Sequence, residues 1–147
     1  MGFEMSSKAS CWRTTRLYGD NPGEGDEQWC AHEENNYKIN VDAATFVEKN
    51  RFGYGWVLRD ARGQVLHART RSWSGYCEPV LAEALGVKEA LSWIKASKIT
   101  KVTIETDSLI VVQAFRSSVT FTSPFGCCIK KCKRMFFRFN QCLFMFC

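Results

Sequence analysis

Three acidic residues stand at positions where an ordinary surface carboxylate is unusual. Asp42 lies inside a run that alternates like a β-strand, although aspartate has poor strand propensity and covering its side chain costs desolvation energy. Glu83 lies within the apolar helical segment 80–85, and Asp107 closes a β-branched run. Carboxylates that lie close together stay ionised only beside a cation. We expect Mg²⁺, with Mn²⁺ as a substitute, because it prefers oxygen ligands and bridges to phosphates.

Two of the three acids also have an ordinary structural explanation. Taken alone, Asp107 is better explained as a residue at or near the N-cap of a following helix. Glu83 alone is better explained as a partly exposed helix residue. The three carboxylates form one metal site only if strands one and four of the sheet are neighbours and the first long helix packs across them. The catalytic interpretation therefore depends on the elements that carry the acids.

The hydrophobic pattern predicts these elements. Alternation with a period of two indicates three strands joined by short turns, which form an antiparallel meander. A strand, helix, strand unit appended to the meander makes a mixed sheet and hence an α/β fold. The predicted strands are 37–47, 52–60, 64–73, 101–106 and 140–147, and the predicted helices are 79–96, 107–116 and 125–139.

The net charge of +5 is a local feature of the sequence. All 15 acidic residues precede residue 125, so the excess of positive charge comes from Lys130, Lys131, Lys133, Arg134 and Arg138. Lys130, Lys131, Arg134 and Arg138 lie on the polar side of the predicted third helix, and a basic patch of this kind suits nucleic acid. The alternative is a solvated helix face that binds nothing.

Residues 1–36 differ from the rest of the chain. They include an acidic, glycine-bearing stretch without apolar periodicity, which is typical of a linker or flexible arm. The domain is therefore expected to span residues 37–147. The longest apolar run, Cys142 to Cys147, is too short to cross a membrane, and the start shows no secretory signal. We expect the eight cysteines to be reduced thiols in the nucleus or the cytoplasm.

Four motifs occur in an order and spacing that resembles one known family. They are Asn40-Val41-Asp42-Ala43-Ala44, residues 53–60 with Gly63, Leu81-Ala82-Glu83-Ala84-Leu85 and Ile104-Glu105-Thr106-Asp107-Ser108. On these motifs, residues 37–147 resemble the type 1 ribonuclease H domain, in particular the plant retroelement-derived group often labelled reverse transcriptase-like.

The resemblance implies a five-stranded mixed sheet flanked by helices and a metal-dependent endonuclease. Such an enzyme hydrolyses the RNA strand of an RNA–DNA hybrid with two magnesium ions. The family's metal ligands correspond to Asp42, Glu83 and Asp107, with Asp42 shared by both ions. The resemblance also implies that the chain stops before the family's closing helix, which carries a fourth acid, and Leu109 stands where many members have glutamine.

We therefore expect a monomer that acts on RNA–DNA hybrids or other nucleic acid, with an activity weakened by the absence of that helix. The alternative is a catalytically inactive nucleic-acid-binding or protein-interaction domain of retroelement origin. Cleavage of a hybrid in the presence of magnesium distinguishes the two.

Overall fold

Residues 36–118, 122–139 and 141–146 are described by the structure, which is a computed structural model of the chain. The predicted arm over residues 1–36 lies outside these ranges except for Asn36. The strands are β1 (Tyr37–Phe46), β2 (Arg51–Arg59), β3 (Val65–Ser74), β4 (Lys101–Thr106) and β5 (Gln141–Phe146). The helices are α1 (Pro79–Ala96), α2 (Leu109–Arg116) and α3 (Pro124–Phe136). A short 3₁₀ turn, Val47–Lys49, joins β1 to β2.

The five strands form one mixed sheet in the order β3-β2-β1-β4-β5. β1, β2 and β3 pair antiparallel as the predicted meander, whereas β4 is parallel to β1 and β5 is parallel to β4. Short turns suffice for the antiparallel pairs, and the parallel pairs need helical crossovers. The turn from β2 to β3 is held by Asp60, whose Oδ1 accepts the N–H groups of Arg62 and Gln64, each at 2.9 Å. The predicted α/β fold with a five-stranded mixed sheet is confirmed.

Helix α1 packs closely on the sheet because its buried face is built from small residues. A Cβ atom placed on Gly86 would lie 2.9 Å from Val41 Cγ1 and 3.1 Å from Tyr54 Cβ, so the backbone of α1 nearly touches β1 and β2. Larger apolar side chains further along α1, among them Val87 and Leu91, complete the core on this side. Gly86 therefore sets the distance between the sheet and the helix that carries Glu83.

Helix α3 packs against α1 and runs in the same direction. Cys132 Sγ lies 3.8 Å from the carbonyl oxygen of Ala84, and Ser92 Oγ lies 3.5 Å from the sulfur of Met135. These two contacts advance along both helices together, so the helices are parallel neighbours.

Within the part of the chain that the structure describes, no helix is long and apolar enough to cross a membrane.

The structure defines the ends of two predicted helices. The N-cap of α2 is Ser108, which directly follows Asp107 as the prediction allows, and its Oγ accepts the Val111 N–H at 3.4 Å. Helix α3 ends at Phe136 and not at residue 139, because the N–H groups of Arg138 and Phe139 bond to the carbonyls of the third residue before them and tighten the chain into a turn. Arg138 therefore lies beyond α3 in this turn.

Candidate active site

Asp42 and Asp107 lie where two parallel strands stop pairing. The β1–β4 ladder ends at the pair Val41 and Thr106, and each acid is the next residue of its own chain segment. The carboxyl ends of neighbouring parallel strands meet at one edge of the sheet, which is where α/β proteins place their ligands. The topology therefore brings two acids together that are 65 residues apart in the sequence.

The turn that carries Asp107 is fixed by its neighbours. Thr106 is buried, and its Oγ1 accepts the backbone N–H of Ser108 at 3.2 Å. Ser108 in turn caps helix α2. Because both flanking residues are bonded, the backbone of Asp107 is held in place while its side chain stays exposed.

Glu83 completes the cluster from the first turns of α1. Its side chain and that of Asp42 are partly buried, and one carboxylate oxygen from each of Asp42, Glu83 and Asp107 lies within 4.8 Å of the others. Asp42 Oδ1 accepts the N–H of Ala43 at 2.9 Å, which orients that carboxylate. The convergence of the three acids that the sequence predicts is thus present in the structure.

Burial and neighbouring negative charge raise the pKa of two of these carboxylates, Glu83 and Asp42. Burial, followed by the negative charges of Asp107 and Asp42, raises the pKa of Glu83 from 4.5 to about 8, and the Ala43 N–H opposes that rise. Burial and then the charge of Asp107 also raise the pKa of Asp42, again against the Ala43 N–H. Without a cation, Glu83 is therefore largely protonated at neutral pH.

The donor set of the cluster fits a divalent cation. Glu83 Oε2 is buried and has no hydrogen-bond partner among the described residues, so one oxygen remains free to accept a ligand. Three hard carboxylate oxygens within a few ångströms suit Mg²⁺ or Mn²⁺. A cation would also remove the repulsion that raises the pKa of Glu83.

The predicted nucleic-acid-binding residues lie on α3 and in the turn after it, which carry none of the three acids. Lys130, Lys131 and Arg134 are exposed on α3, and Arg138 is exposed in the turn that follows it. Lys133, the fifth cation of this stretch, differs because its Nζ donates to the carbonyl oxygen of Ser117 at the end of α2. The structure therefore leaves the four predicted residues facing solvent and uses the fifth in packing.

Sequence reasoning missed a buried polar group beside the acids. The Glu105 side chain is only 1% exposed, and it bonds to Asn40 and Lys38 of β1. Burial raises the pKa of the Glu105 carboxyl, while the Lys38 ammonium and the Asn40 amide oppose that rise. Both Asn40 and Glu105 stand two residues before an acid of the cluster, and this shared spacing was the available signal.

Exposed apolar residues border the cluster on α2. Leu109 and Ile110, which follow Asp107 and Ser108, are 49% and 59% exposed. Helix α2 buries its other side through Val111 and Phe115. The solvent-facing start of α2 is therefore apolar at the point where it adjoins Asp107.

Known proteins are similar to this chain in sequence pattern and in fold. A family model described as reverse transcriptase-like matches residues 40–147. The chain is similar to ribonuclease H1 of the archaeon Halobacterium salinarum, with a TM-score of 0.68 and 15% identity over 76% of this chain and 85% of that one. No curated protein sequence is significantly similar to this chain.

Two further solved structures are similar. One is the compost-derived LC11-RNase H1 in complex with an RNA/DNA hybrid, with a TM-score of 0.65 and 18% identity over 76% of this chain and 84% of that one. The other is the foamy viral protease-reverse transcriptase in complex with dsDNA, with a TM-score of 0.60 and 18% identity over 81% of this chain and 84% of that one. At these identities the likenesses establish a shared ribonuclease H-like fold.

Proposed function

We propose that this chain, because it belongs to the reverse transcriptase-like family, is a metal-dependent endonuclease that hydrolyses the RNA strand of RNA–DNA hybrids. The observation that carries the proposal is the cluster of Asp42, Glu83 and Asp107, whose oxygens lie within 4.8 Å in a fold shared with ribonucleases H. The similarity to LC11-RNase H1, which holds an RNA/DNA hybrid, supports the choice of substrate.

The three acids have distinct tasks in this proposal. Two divalent ions bound by Asp42, Glu83 and Asp107 would activate a water molecule and stabilise the leaving oxygen of a phosphodiester. Asp42, partly buried and oriented by the Ala43 N–H, is the ligand we assign to both ions. Glu83 holds a proton when no cation is beside it, so it releases that proton when the site is loaded.

The basic residues supply the grip on the nucleic acid backbone. Lys130 and Arg134 are one helical turn apart and are separated by about 6 Å along the axis of α3, so they form a row on one side of the helix. Such a row binds phosphates without reading sequence, and its contribution weakens as salt increases. A nuclease that acts on hybrids of any sequence needs this kind of contact.

Cleavage of labelled substrates tests the proposed activity. The purified chain should cut the RNA strand of an RNA–DNA hybrid with Mg²⁺ or Mn²⁺, and it should leave duplex DNA and single-stranded RNA intact. The Asp42→Asn variant, purified identically, should be inactive because it lacks the shared ligand, and this comparison also excludes a contaminating host nuclease. Equal cleavage by the variant and the unaltered chain would refute the site.

A second candidate function is a nucleic-acid-binding domain without catalysis. The exposed basic residues of α3, which lie on a different element from the acids, favour this candidate because they can bind phosphates even if the acids are inactive. This function would be preferred over the nuclease if the chain binds the hybrid in the presence of Mg²⁺ or Mn²⁺ but does not cleave it at any concentration of either ion.

A further inference from the structure

We propose that Glu105 is a positioning residue, which acts through Asn40 and Lys38 to set the spacing between Asp42 and Asp107. The inference rests on the proposed metal site at Asp42, Glu83 and Asp107, and it assigns a task to a buried carboxylate that this site does not use.

The Glu105 carboxylate joins β4 to β1 by side-chain bonds. Asn40 and Glu105 are direct partners in the parallel ladder, and Asn40 Nδ2 donates to Glu105 Oε2 at 2.7 Å. The other oxygen, Oε1, lies 3.1 Å from Lys38 Nζ. One carboxylate thus holds two side chains of β1 at once, and it does so while 1% exposed.

This link lies one side-chain repeat before both acids. Asp42 is two residues beyond Asn40, and Asp107 is two residues beyond Glu105. Residues two apart on a strand share a face and are about 7 Å apart. The backbone ladder stops at Val41 and Thr106. The Asn40–Glu105 bond therefore holds the two strands together immediately before the point where they stop pairing.

The acids themselves create the need for such a link. Asp42 and Asp107 carry like charges just beyond the last pair of β1 and β4, and their repulsion favours separation of the two segments at this point. A metal site requires the opposite, since coordination tolerates errors of only a few tenths of an ångström. Fold stability alone does not explain a buried Glu105, because well-packed apolar replacements of buried ion pairs are often neutral or stabilising.

Metal binding by the full chain provides the test, measured by titration calorimetry with Mn²⁺ alone. In Glu105→Gln, an NH₂ donor replaces one of the two carboxylate oxygens, so the side chain no longer has an acceptor oxygen for each of Asn40 and Lys38. We expect the Mn²⁺ affinity to fall about tenfold, which is typical when a residue that orients metal ligands is replaced. The Mg²⁺ concentration that gives half-maximal cleavage should rise in parallel, with the KM for the hybrid unchanged. Asn40→Ala, which keeps the ion pair with Lys38, should weaken Mn²⁺ binding in the same direction.

Two further variants separate positioning from stability. Glu89→Gln is the matched control, because Glu89 pairs with Arg69 and Arg71 across α1 and β3 and with none of the three acids. The Mn²⁺ affinity of this variant should not change. The double variant Lys38→Met, Glu105→Gln removes both charges of the ion pair and keeps an amide oxygen that can accept from Asn40. This variant should recover most of the Mn²⁺ affinity that Glu105→Gln loses.

The outcomes distinguish this inference from the proposed nuclease function. Variants at Glu105 and Asn40 that lower the melting temperature but bind Mn²⁺ like the unaltered chain would overturn the positioning role and leave the metal site intact. If the variants bind Mn²⁺ more weakly than the unaltered chain and the unaltered chain cuts no hybrid, the positioning role is supported and the nuclease function is refuted. Absence of Mn²⁺ binding by the unaltered chain would overturn both.

Discussion

The protonation of Glu83 links the charge of the acid cluster to the stability of the folded chain. Burial raises the pKa of Glu83 most, and the negative charges of Asp107 and Asp42 raise it further. A carboxyl group that is protonated at neutral pH carries no permanent charge, and it can exchange its proton for a bound cation. Binding of a metal ion at Glu83 should therefore change the free energy of unfolding of the chain.

We predict that the metal-free chain loses stability as pH rises. The folded chain keeps the Glu83 proton up to about pH 8, whereas the unfolded chain releases it near pH 4.5. The free energy of unfolding should therefore fall across this window, by a few kcal/mol at most, since one pKa unit corresponds to about 1.4 kcal/mol and Glu83 is partly solvated. The raised pKa of Asp42 acts in the same direction.

Denaturant titrations in EDTA at several pH values measure this dependence. Glu83→Gln should make the curve flatter, and Mg²⁺ should stabilise the unaltered chain most at the alkaline end, where the cluster is charged. Exposed Glu48, changed to Gln, serves as the control and should leave the slope as it was. A free energy of unfolding that rises between these two pH limits in the unaltered chain would contradict the prediction.

Among the elements, α1 has the most constrained position, because it carries Glu83 and also packs on β1, the strand that carries Asp42. The close contact at Gly86 allows both, since a side chain there would collide with Val41 and Tyr54. These neighbours belong to a packed core and have little room to move. The height of α1 above the sheet is therefore coupled to the geometry of the acid cluster.

We predict that Gly86→Ala lowers both stability and metal affinity. The added Cβ would lie 2.9 Å from Val41 Cγ1, so α1 must shift outward and carry Glu83 away from Asp42. Overpacking should cost about 1–3 kcal/mol, only partly offset by the higher helix propensity of alanine, which is worth about 1 kcal/mol. Thermal denaturation and Mn²⁺ calorimetry measure the two effects.

Lys95→Ala on the exposed side of the same helix is the control for this substitution. It changes the helix propensity of α1 without touching the sheet and should leave Mn²⁺ affinity unchanged. A Gly86→Ala variant that is more stable than the unaltered chain, with the same Mn²⁺ affinity, would show that α1 has room to accept the side chain.

Across the whole chain, the net positive charge is concentrated in the last 40 residues. Asp107 is the last acidic residue, and residues 108–147 contain six basic residues and no acidic ones. The described part of this segment supplies α2, α3 and β5, whereas the acid cluster comes from β1, α1 and the end of β4. The proposed metal binding and the proposed binding of the nucleic acid backbone can therefore be tested by separate substitutions.

We predict that Lys130→Ala combined with Arg134→Ala weakens hybrid binding without changing cleavage at saturating hybrid. Each lost phosphate contact should lower the slope of log affinity against log salt by about one. Replacing Lys95 and Lys98, two exposed cations near the end of α1, by alanine is the charge-matched control and should affect binding less. Equal losses in the two double variants would indicate a general charge effect and refute a specific role of α3.

The sequence alone predicted the elements well where local signals determine them. Helix α1 and strand β4 have the predicted limits, because proline, apolar periodicity and β-branched residues act within a few positions. The end of α3 was predicted three residues too late, since the amphipathic pattern continues into the turn that contains Arg138. Two of the acids, Asp42 and Glu83, were recognisable because they interrupt apolar patterns, and Asp107 was recognisable because it closes a β-branched run.

The remaining features depend on contacts between distant parts of the chain. The raised pKa of Glu83 arises from burial and from two acids on other elements, so no local pattern contains it. Glu105 shows the same dependence, because it is an ordinary polar residue of a strand until the register of β1 against β4 buries it opposite Asn40. Local sequence determined which residues could act, whereas tertiary packing decided their spacing and charge, because desolvation and Coulomb energies depend on distances that only the folded chain defines.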